Sequence, residues 1–106
     1  MTSCDIAASH NGTSVHLALS GEIDITNRDR VAEQVYAATS NQATSVVLDT
    51  SAITYLDSSG LRFLFGLAER LDRLQVALRI VAPPASIARK VIDLAGLDQI
   101  TDITDG

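Results

Sequence analysis

The sequence between positions 49 and 61 reads Asp49-Thr50-Ser51-Ala52-Ile53-Thr54-Tyr55-Leu56-Asp57-Ser58-Ser59-Gly60-Leu61. The apolar run Val46–Leu48 comes directly before it and predicts a central strand that is covered on both faces. A helical pattern of apolar residues begins at its end. The segment is therefore predicted to be a loop from the carboxyl end of a strand into a helix, the edge at which open α/β sheets usually meet ligands and partners.

The helix after this segment is predicted from Leu61 to Leu74. Apolar side chains recur on one of its faces, at Leu61, Leu64, Phe65, Ala68 and Leu71. Phe63 and Leu67 widen the apolar surface beyond what one sheet contact requires. Part of this helix is therefore expected to meet a partner.

The chain before the central strand predicts a hairpin and a helix. Strand-like runs at 5–8 and 15–19 flank His10-Asn11-Gly12, and an Asn-Gly pair favours a tight hairpin turn. The stretch Gly21-Glu22-Ile23-Asp24 breaks the strand pattern. A helix then follows over roughly 27 to 40, with Thr26 or Asn27 as its N-cap.

The chain after the second helix predicts a strand, a helix and a last strand. Residues 76–80 alternate as in a strand, and Pro83-Pro84 end it and start a helix that stops at Gly96. A short strand is expected near 100–103. The whole pattern predicts one α/β domain over residues 1–106, with no linker and no second domain.

Composition and charge limit the possible partners. The chain has 106 residues, eight basic against thirteen acidic, and a net charge of -5, which disfavours nucleic acids and anionic membranes and favours a basic partner. Cys4 is the only cysteine, and no apolar stretch approaches the roughly 20 residues of a membrane span. We expect a cytoplasmic domain that needs no cofactor or metal to fold.

A serine after Asp57 has two interpretations. Ser58 or Ser59 would sit at the helix N-cap, where a hydroxyl satisfies an unpaired backbone donor, and this role alone explains a serine. Alternatively, one hydroxyl is exposed for phosphorylation. A phosphate would be tolerated there, because the free N–H groups and dipole of a helix N-terminus accept an anion. Added phosphate next to Asp57 would then repel a docked partner.

The motifs together resemble a known family. Gly21-Glu22-Ile23-Asp24, Asp49-x-Ser51-x-Ile53, the core Leu56-Asp57-Ser58-Ser59-Gly60-Leu61 and Ala95-Gly96-Leu97 are similar to the bacterial anti-sigma factor antagonists of the STAS fold. The resemblance spans nearly the whole chain. It implies a mixed sheet of four or five strands with an N-terminal hairpin, covered by helices, and Ser58 as the phosphorylated serine. One departure is Ile25-Thr26-Asn27, where many relatives have a threonine one position later.

The resemblance also implies a partner switch. The unphosphorylated antagonist would bind an anti-sigma factor and free a sigma factor, the anti-sigma factor would phosphorylate Ser58 with ATP and so release it, and a serine phosphatase would reset it. Partner contacts are expected at Asp24, Asp57, Ser59, Gly60 and Leu61. Several have plainer roles: Asp24 as a turn carboxylate, Asp57 as an acidic residue at a helix start, Gly60 as a packing residue and Leu61 as a core residue.

Two other functions fit less of the sequence. One is a STAS adaptor within a transporter or sensory complex that uses the same surface without phosphorylation. The other is a small nucleotide hydrolase, suggested only by Asp24, Asp49 and Asp57 near the loop. Catalytic and nucleotide motifs are missing: Ser58 lacks the glycine of a nucleophile elbow, and no phosphate-binding loop surrounds Lys90. Because the phosphate-binding loop is missing, ATP is expected to come with the partner. His10 and His16 have no partners at metal-ligand spacing, so no metal site is expected there.

Overall fold

The chain adopts an α/β fold in a computed structural model that describes residues 2–39 and 42–106. Its elements are β1 (Cys4–Asn11), β2 (Ser14–Ile23), α1 (Arg28–Ala38), β3 (Ser45–Leu56), α2 (Ser58–Arg73), β4 (Ala77–Val81), α3 (Ile87–Ala95), a 3-10 turn (Leu97–Gln99) and β5 (Asp102–Thr104). Within the described residues the sheet has five strands in the order β1-β2-β3-β4-β5. β1 is antiparallel to β2 and all other neighbours are parallel, which confirms the predicted mixed sheet.

The predicted hairpin is confirmed, with a small shift of its turn. Asn11 pairs with Ser14, so the two turn residues are Gly12 and Thr13 rather than the Asn-Gly pair. Gly12 has a φ of 63°, a conformation that glycine adopts without steric cost.

β2 is longer than the sequence predicts. The prediction that residues 21–24 break the strand is wrong for 21–23, because β2 continues to Ile23 and ends only before Asp24. β2 stays paired with β3, with register shifts between Ala18 and Ser20 and between Gly21 and Glu22. Gly21 has a φ of 110°. A side chain at position 21 would clash with the carbonyl oxygen of Ser3, which accepts the N–H of Glu22 at 2.8 Å. Glycine here therefore marks an irregular strand, not a strand end.

β3 is central, as predicted, but the predicted loop over 49–61 is wrong for most of its length. The strand continues to Leu56, and only Asp57 separates it from α2. Buried side chains hold this second half: Thr50 donates its hydroxyl to the carbonyl of Val81 at 2.7 Å, and Ile53 is 3% exposed. Apart from Tyr55, its exposed residues are small or polar, which is why the segment has a loop-like composition.

The helices contribute to one hydrophobic core on one face of the sheet. Buried and exposed residues alternate along β2, and the buried ones share a cluster with side chains of all three helices. On the opposite face, His16 and Arg79 are exposed on either side of half-buried Val47. The expectation that β3 is covered on both faces is therefore wrong.

The first two helices pack against each other. Phe63 and Leu67 are buried, and the ring of Phe63 meets that of Tyr36 edge-on with centroids 6.5 Å apart. The prediction that these two side chains offer surplus apolar surface to a partner is wrong, because both are buried within the domain. The predicted end of α1 at Ser40 lies outside the described residues, and the helix ends at Ala38.

The last helix begins later than predicted and ends where predicted. The chain after the two prolines forms a turn, and the hydroxyl of Ser86 accepts the N–H of Arg89 at 3.2 Å as the N-cap of α3. Gly96 ends α3 with a φ of 77°, which confirms the predicted stop. β5 starts at Asp102, two residues after the expected position.

Candidate functional site

Two neighbouring parallel strands end together at the predicted edge. Ile23 of β2 is paired with Leu56 of β3, and the next residue on each strand is an aspartate. Asp24 and Asp57 therefore leave the sheet side by side at its carboxyl edge. Two of the residues singled out from the sequence are brought together here, next to the start of α2.

Asp57 is the N-cap of α2. Its Oδ1 accepts the N–H groups of Ser59 at 2.9 Å and Gly60 at 3.2 Å, and its carbonyl accepts the N–H of Leu61 at 3.0 Å. The assignment of the cap to Ser58 or Ser59 is therefore wrong. An aspartate caps a helix as well as a serine does, and only one residue separates β3 from the first helical position.

Ser58 is the first residue of α2, and its side chain is exposed. Across residues 2–39 and 42–106, neither its hydroxyl nor its N–H makes a hydrogen bond with another residue. A modifying enzyme can therefore reach the oxygen without unfolding the domain. Phosphorylation of Ser58 stays a prediction.

Gly60 brings α2 close to the strand ends. A Cβ at this position would clash with Cδ1 of Leu56 and lie 3.1 Å from Cγ2 of Ile23. Gly60 is buried, whereas Ser59 and Leu61 on either side of it are half-buried. The packing role foreseen for Gly60 is thus visible, and the partner contacts of these three residues stay predictions.

Asp24 is held as a carboxylate within the turn after β2. Its Oδ1 accepts the N–H of Thr26 at 2.8 Å, and its Oδ2 accepts the hydroxyl of Thr2 at 2.8 Å. Hydrogen bonds from Thr26 and then Thr2 lower the pKa of the Asp24 carboxyl below its ordinary value, because they stabilise the charged form. The side chain has a defined orientation beside the start of α2.

Asn27 fixes this turn, a role that the sequence did not reveal. Asn27 is 5% exposed; its Oδ1 accepts the N–H of Asp24 at 2.9 Å, and its Nδ2 donates to the carbonyl of Glu22 at 2.8 Å. It precedes α1, as predicted, but its side chain makes no cap hydrogen bond to the helix. An asparagine just before a helix suggests a cap, and only the folded turn shows its backbone partners.

Two exposed apolar side chains near this edge were also missed. Ile25 is 73% exposed in the turn that carries Asp24, and Tyr55 is 49% exposed next to the end of β3. Tyr55 is paired with Glu22, so the ring and a carboxylate lie on neighbouring strands. The exposure of a large apolar residue follows from tertiary packing, which local pattern does not report.

The acidic cluster suggested for a nucleotide hydrolase does not form. Asp49 lies in the middle of β3, paired with Val81, and its Oδ1 accepts the N–H of Ser51 at 2.9 Å. At about 3.3 Å per strand residue, roughly 20 Å or more separates it from Asp57. The residues that the structure describes contain no group of three or more His, Cys, Asp or Glu side chains placed to hold a metal ion.

Comparisons with known proteins agree with this architecture. The family model of the STAS domain matches residues 5–105. The chain belongs to the STAS domain family. It is 35% identical over 92 residues to the anti-sigma-F factor antagonist RsfB of Mycobacterium tuberculosis, an alignment that covers 87% of this chain and 73% of that protein. The resemblance inferred from the sequence motifs is confirmed.

Solved structures extend the comparison to three dimensions. A crystal structure of an anti-sigma factor antagonist from Mycobacterium paratuberculosis superposes with a TM-score of 0.87 at 25% identity, covering 98% of this chain and 87% of that one. The phosphorylated form of the Bacillus cell fate determinant SpoIIAA gives a TM-score of 0.66 at 19% identity, covering 94% and 91%. The second likeness shows the fold alone. Among the described helices of this STAS domain, none is both long and apolar enough to cross a membrane.

Proposed function

We propose that this STAS domain is an anti-sigma factor antagonist whose binding is switched by phosphorylation of Ser58. In the unphosphorylated state it binds an anti-sigma factor and so frees a sigma factor. The observation that carries the proposal is the exposed Ser58 hydroxyl, without a hydrogen-bond partner in the described chain, at the first position of α2. The family and the names of its relatives supply the kind of partner.

The surface around Ser58 suits a partner with apolar and basic contacts. Ile25 and Tyr55 are exposed apolar side chains at the same edge, and carboxylates lie among them at Glu22 and Asp24. Exposed aromatic and aliphatic residues are common anchors in protein interfaces. We include both residues in the docking surface, together with Asp24, Asp57, Ser59, Gly60 and Leu61.

Phosphorylation would change this surface without disturbing the fold. Transfer of the γ-phosphoryl group of ATP to the Ser58 oxygen, with loss of the hydroxyl proton and release of ADP, adds about -1.5 to -2 charges. The chain already carries a net charge of -5, and Asp57 lies next to the modified residue. Repulsion and desolvation would then oppose a partner that docks through complementary contacts at this edge.

The enzymes in this cycle belong to the partners. The sequence has no phosphate-binding loop, so the anti-sigma factor would supply both ATP and serine kinase activity, and a separate phosphatase would remove the phosphate. The domain itself would act in the cytoplasm as a regulator without catalysis, membrane or nucleic-acid contacts. Its acidic charge agrees with protein partners rather than polyanions.

The test combines labelling and binding. Purified protein is incubated with ATP and each anti-sigma kinase of the same genome, and its intact mass is measured. Parent and Ser9→Ala, a control at an exposed serine of β1 outside the docking surface, should gain one phosphate, whereas Ser58→Ala should gain none and still bind the anti-sigma factor by calorimetry. Ser58→Asp should bind at least about tenfold more weakly. Equal labelling of Ser58→Ala and the parent would reject Ser58 as the phosphorylation site. If Ser58 is unmodified in cells and the protein co-purifies with membrane components, a STAS adaptor would be favoured instead.

A further inference from the structure

Arg62 lies one helical turn after Ser58 on the solvent side of α2. Both side chains are exposed, and residues four apart on a helix have Cβ atoms about 6 Å from each other. The residues three and four positions from Arg62 are Ser58, Ser59, Phe65 and Gly66. None of these is negatively charged in the unmodified chain.

The guanidinium of Arg62 is without an ion pair in the described part of the chain. The ion pairs found there use Arg28, Arg79 and Arg89, and Arg70 stacks on the ring of Tyr36. Arg62 therefore remains available to an anion that appears on its own helix.

The usual receptors for an anion at a helix start are already occupied in this domain. Oδ1 of Asp57 takes the N–H groups of Ser59 and Gly60, and the Asp57 carbonyl takes that of Leu61. Only the N–H of Ser58 itself is left, so the expectation that several free N–H groups receive the phosphate is not met. A phosphate on Ser58 has to find its positive partner in a side chain.

Among the residues that the structure describes, the other charged groups at this end of the molecule leave Arg62 as that partner. Asp57 is negatively charged and lies beside Ser58. Glu22 and Asp24 at the end of β2 are also negative, and all three would repel a phosphate. Arg28 at the start of α1 is paired with Asp29 at 3.1 Å, and Arg30 on the same helix lines a pocket with Cys4 and Asp5 of β1.

We infer that Arg62 binds the phosphate of phosphorylated Ser58 as a salt bridge along α2. The inference rests on the phosphorylation of Ser58 proposed above. Guanidinium N–H groups donate to two phosphate oxygens in a planar fork, and an anion four residues before a cation is the favourable order on a helix. The phosphate is thereby held on the exposed side of the helix, and Arg62 stabilises its dianionic form against the repulsion of Asp57.

The experiment places phosphoserine at position 58 during translation, so that no kinase is needed. The second pKa of the phosphate is measured by phosphorus NMR titration in the full chain, in Arg62→Gln and in Arg73→Gln. Arg73 is the matched control, because it is exposed on α2 but lies about 22 Å from Ser58 along the helix axis. Each titration is run at low salt and in 1 M NaCl.

The pKa in Arg62→Gln should lie about 0.3 units or more above that of the parent, whereas Arg73→Gln should match the parent. The difference should shrink in 1 M NaCl, where charges are screened within about 3 Å. Equal values in the parent and Arg62→Gln, or equal shifts in both variants, would overturn the inference. Kinase labelling is not involved, so a failure here leaves the proposed function standing, and a failure to label Ser58 leaves this measurement valid.

Discussion

Gly60 of α2 approaches Leu56 of β3 so closely that no side chain fits between them. A Cβ at position 60 would clash with Cδ1 of Leu56, while Cγ2 of Ile23 closes the other side at 3.1 Å. This contact sets the distance between the first turn of α2 and the strand ends. The position of Ser58 over the edge therefore depends on a glycine that is itself buried.

Replacing Gly60 with alanine should destabilise the domain. We expect Gly60→Ala to lower the free energy of unfolding by about 1–2 kcal/mol, because overpacking outweighs the better helix propensity of alanine. Urea unfolding measures the change. Gly66→Ala is the control, since a Cβ there meets only the Tyr36 hydroxyl at 3.9 Å and should leave stability equal or higher. A Gly60→Ala protein as stable as the parent would contradict the close packing.

The N-cap of α2 gives a second prediction. Asp57→Ala should cost about 0.5–2 kcal/mol of unfolding free energy, because the N–H groups of Ser59 and Gly60 lose their acceptor. Asp57→Asn keeps an oxygen in the same place and should stay close to the parent. Thermal and urea unfolding distinguish the variants, and equal losses in both would mean that charge rather than the cap stabilises the helix start.

The turn carboxylate Asp24 should make stability depend on pH. Hydrogen bonds from Thr26 and Thr2 lower its pKa in the folded state below the unfolded value of about 3.9. The stabilising contribution of the Asp24 carboxylate to the free energy of unfolding is therefore present at pH values above the unfolded-state pKa. It is lost as the pH falls through the folded-state pKa. Asp24→Asn should be less stable than the parent at pH 7, and the gap measured by urea unfolding should narrow toward pH 2.

A direct measurement follows the carboxyl carbon of Asp24 by NMR. The hydroxyl of Thr26 also donates to Oδ1 of Asp24. Thr26→Val removes this hydroxyl but keeps the backbone N–H, and should raise the pKa of Asp24 toward its ordinary value. Thr54→Val is the control, because the Thr54 hydroxyl donates to the carbonyl of Gly21 instead. An Asp24 pKa that is unchanged in Thr26→Val would contradict the hydrogen-bond explanation.

The order of the elements was predictable because local signals carry it. The Asn-Gly hairpin signal and the stop at Gly96 depend on residues close in sequence, and both elements form. The second half of β3 was not predictable, because its strand conformation comes from pairing with an irregular β2 and from buried Thr50. Mostly small or polar residues in a long strand have the same composition as a loop.

The candidate site was predictable in its location and less so in its details. The motif places Ser58 at a helix start, and the structure does so as well. Aspartate and serine cap helices equally well, so the sequence could not choose Asp57 over its neighbours. The roles of Asn27 and Ile25 could not be predicted, because they depend on a turn whose hydrogen bonds and exposure exist only after folding.

The exposed side chain of Ile25 should contribute directly to binding of the anti-sigma factor. Ile25 lies in the turn after β2, at the edge where α2 begins, and is 73% exposed, so Ile25→Ser changes the surface without opening the core. A central apolar contact in an interface is worth more than about 1 kcal/mol, and calorimetry should show about tenfold weaker binding. Ile100→Ser is the control, because Ile100 is 52% exposed but precedes β5. It therefore lies at the amino end of the parallel strands, whereas Ile25 lies at their carboxyl end. Binding weakened equally by both substitutions would place the partner elsewhere, and binding weakened only by Ile25→Ser would assign it to the edge that Ser58 occupies.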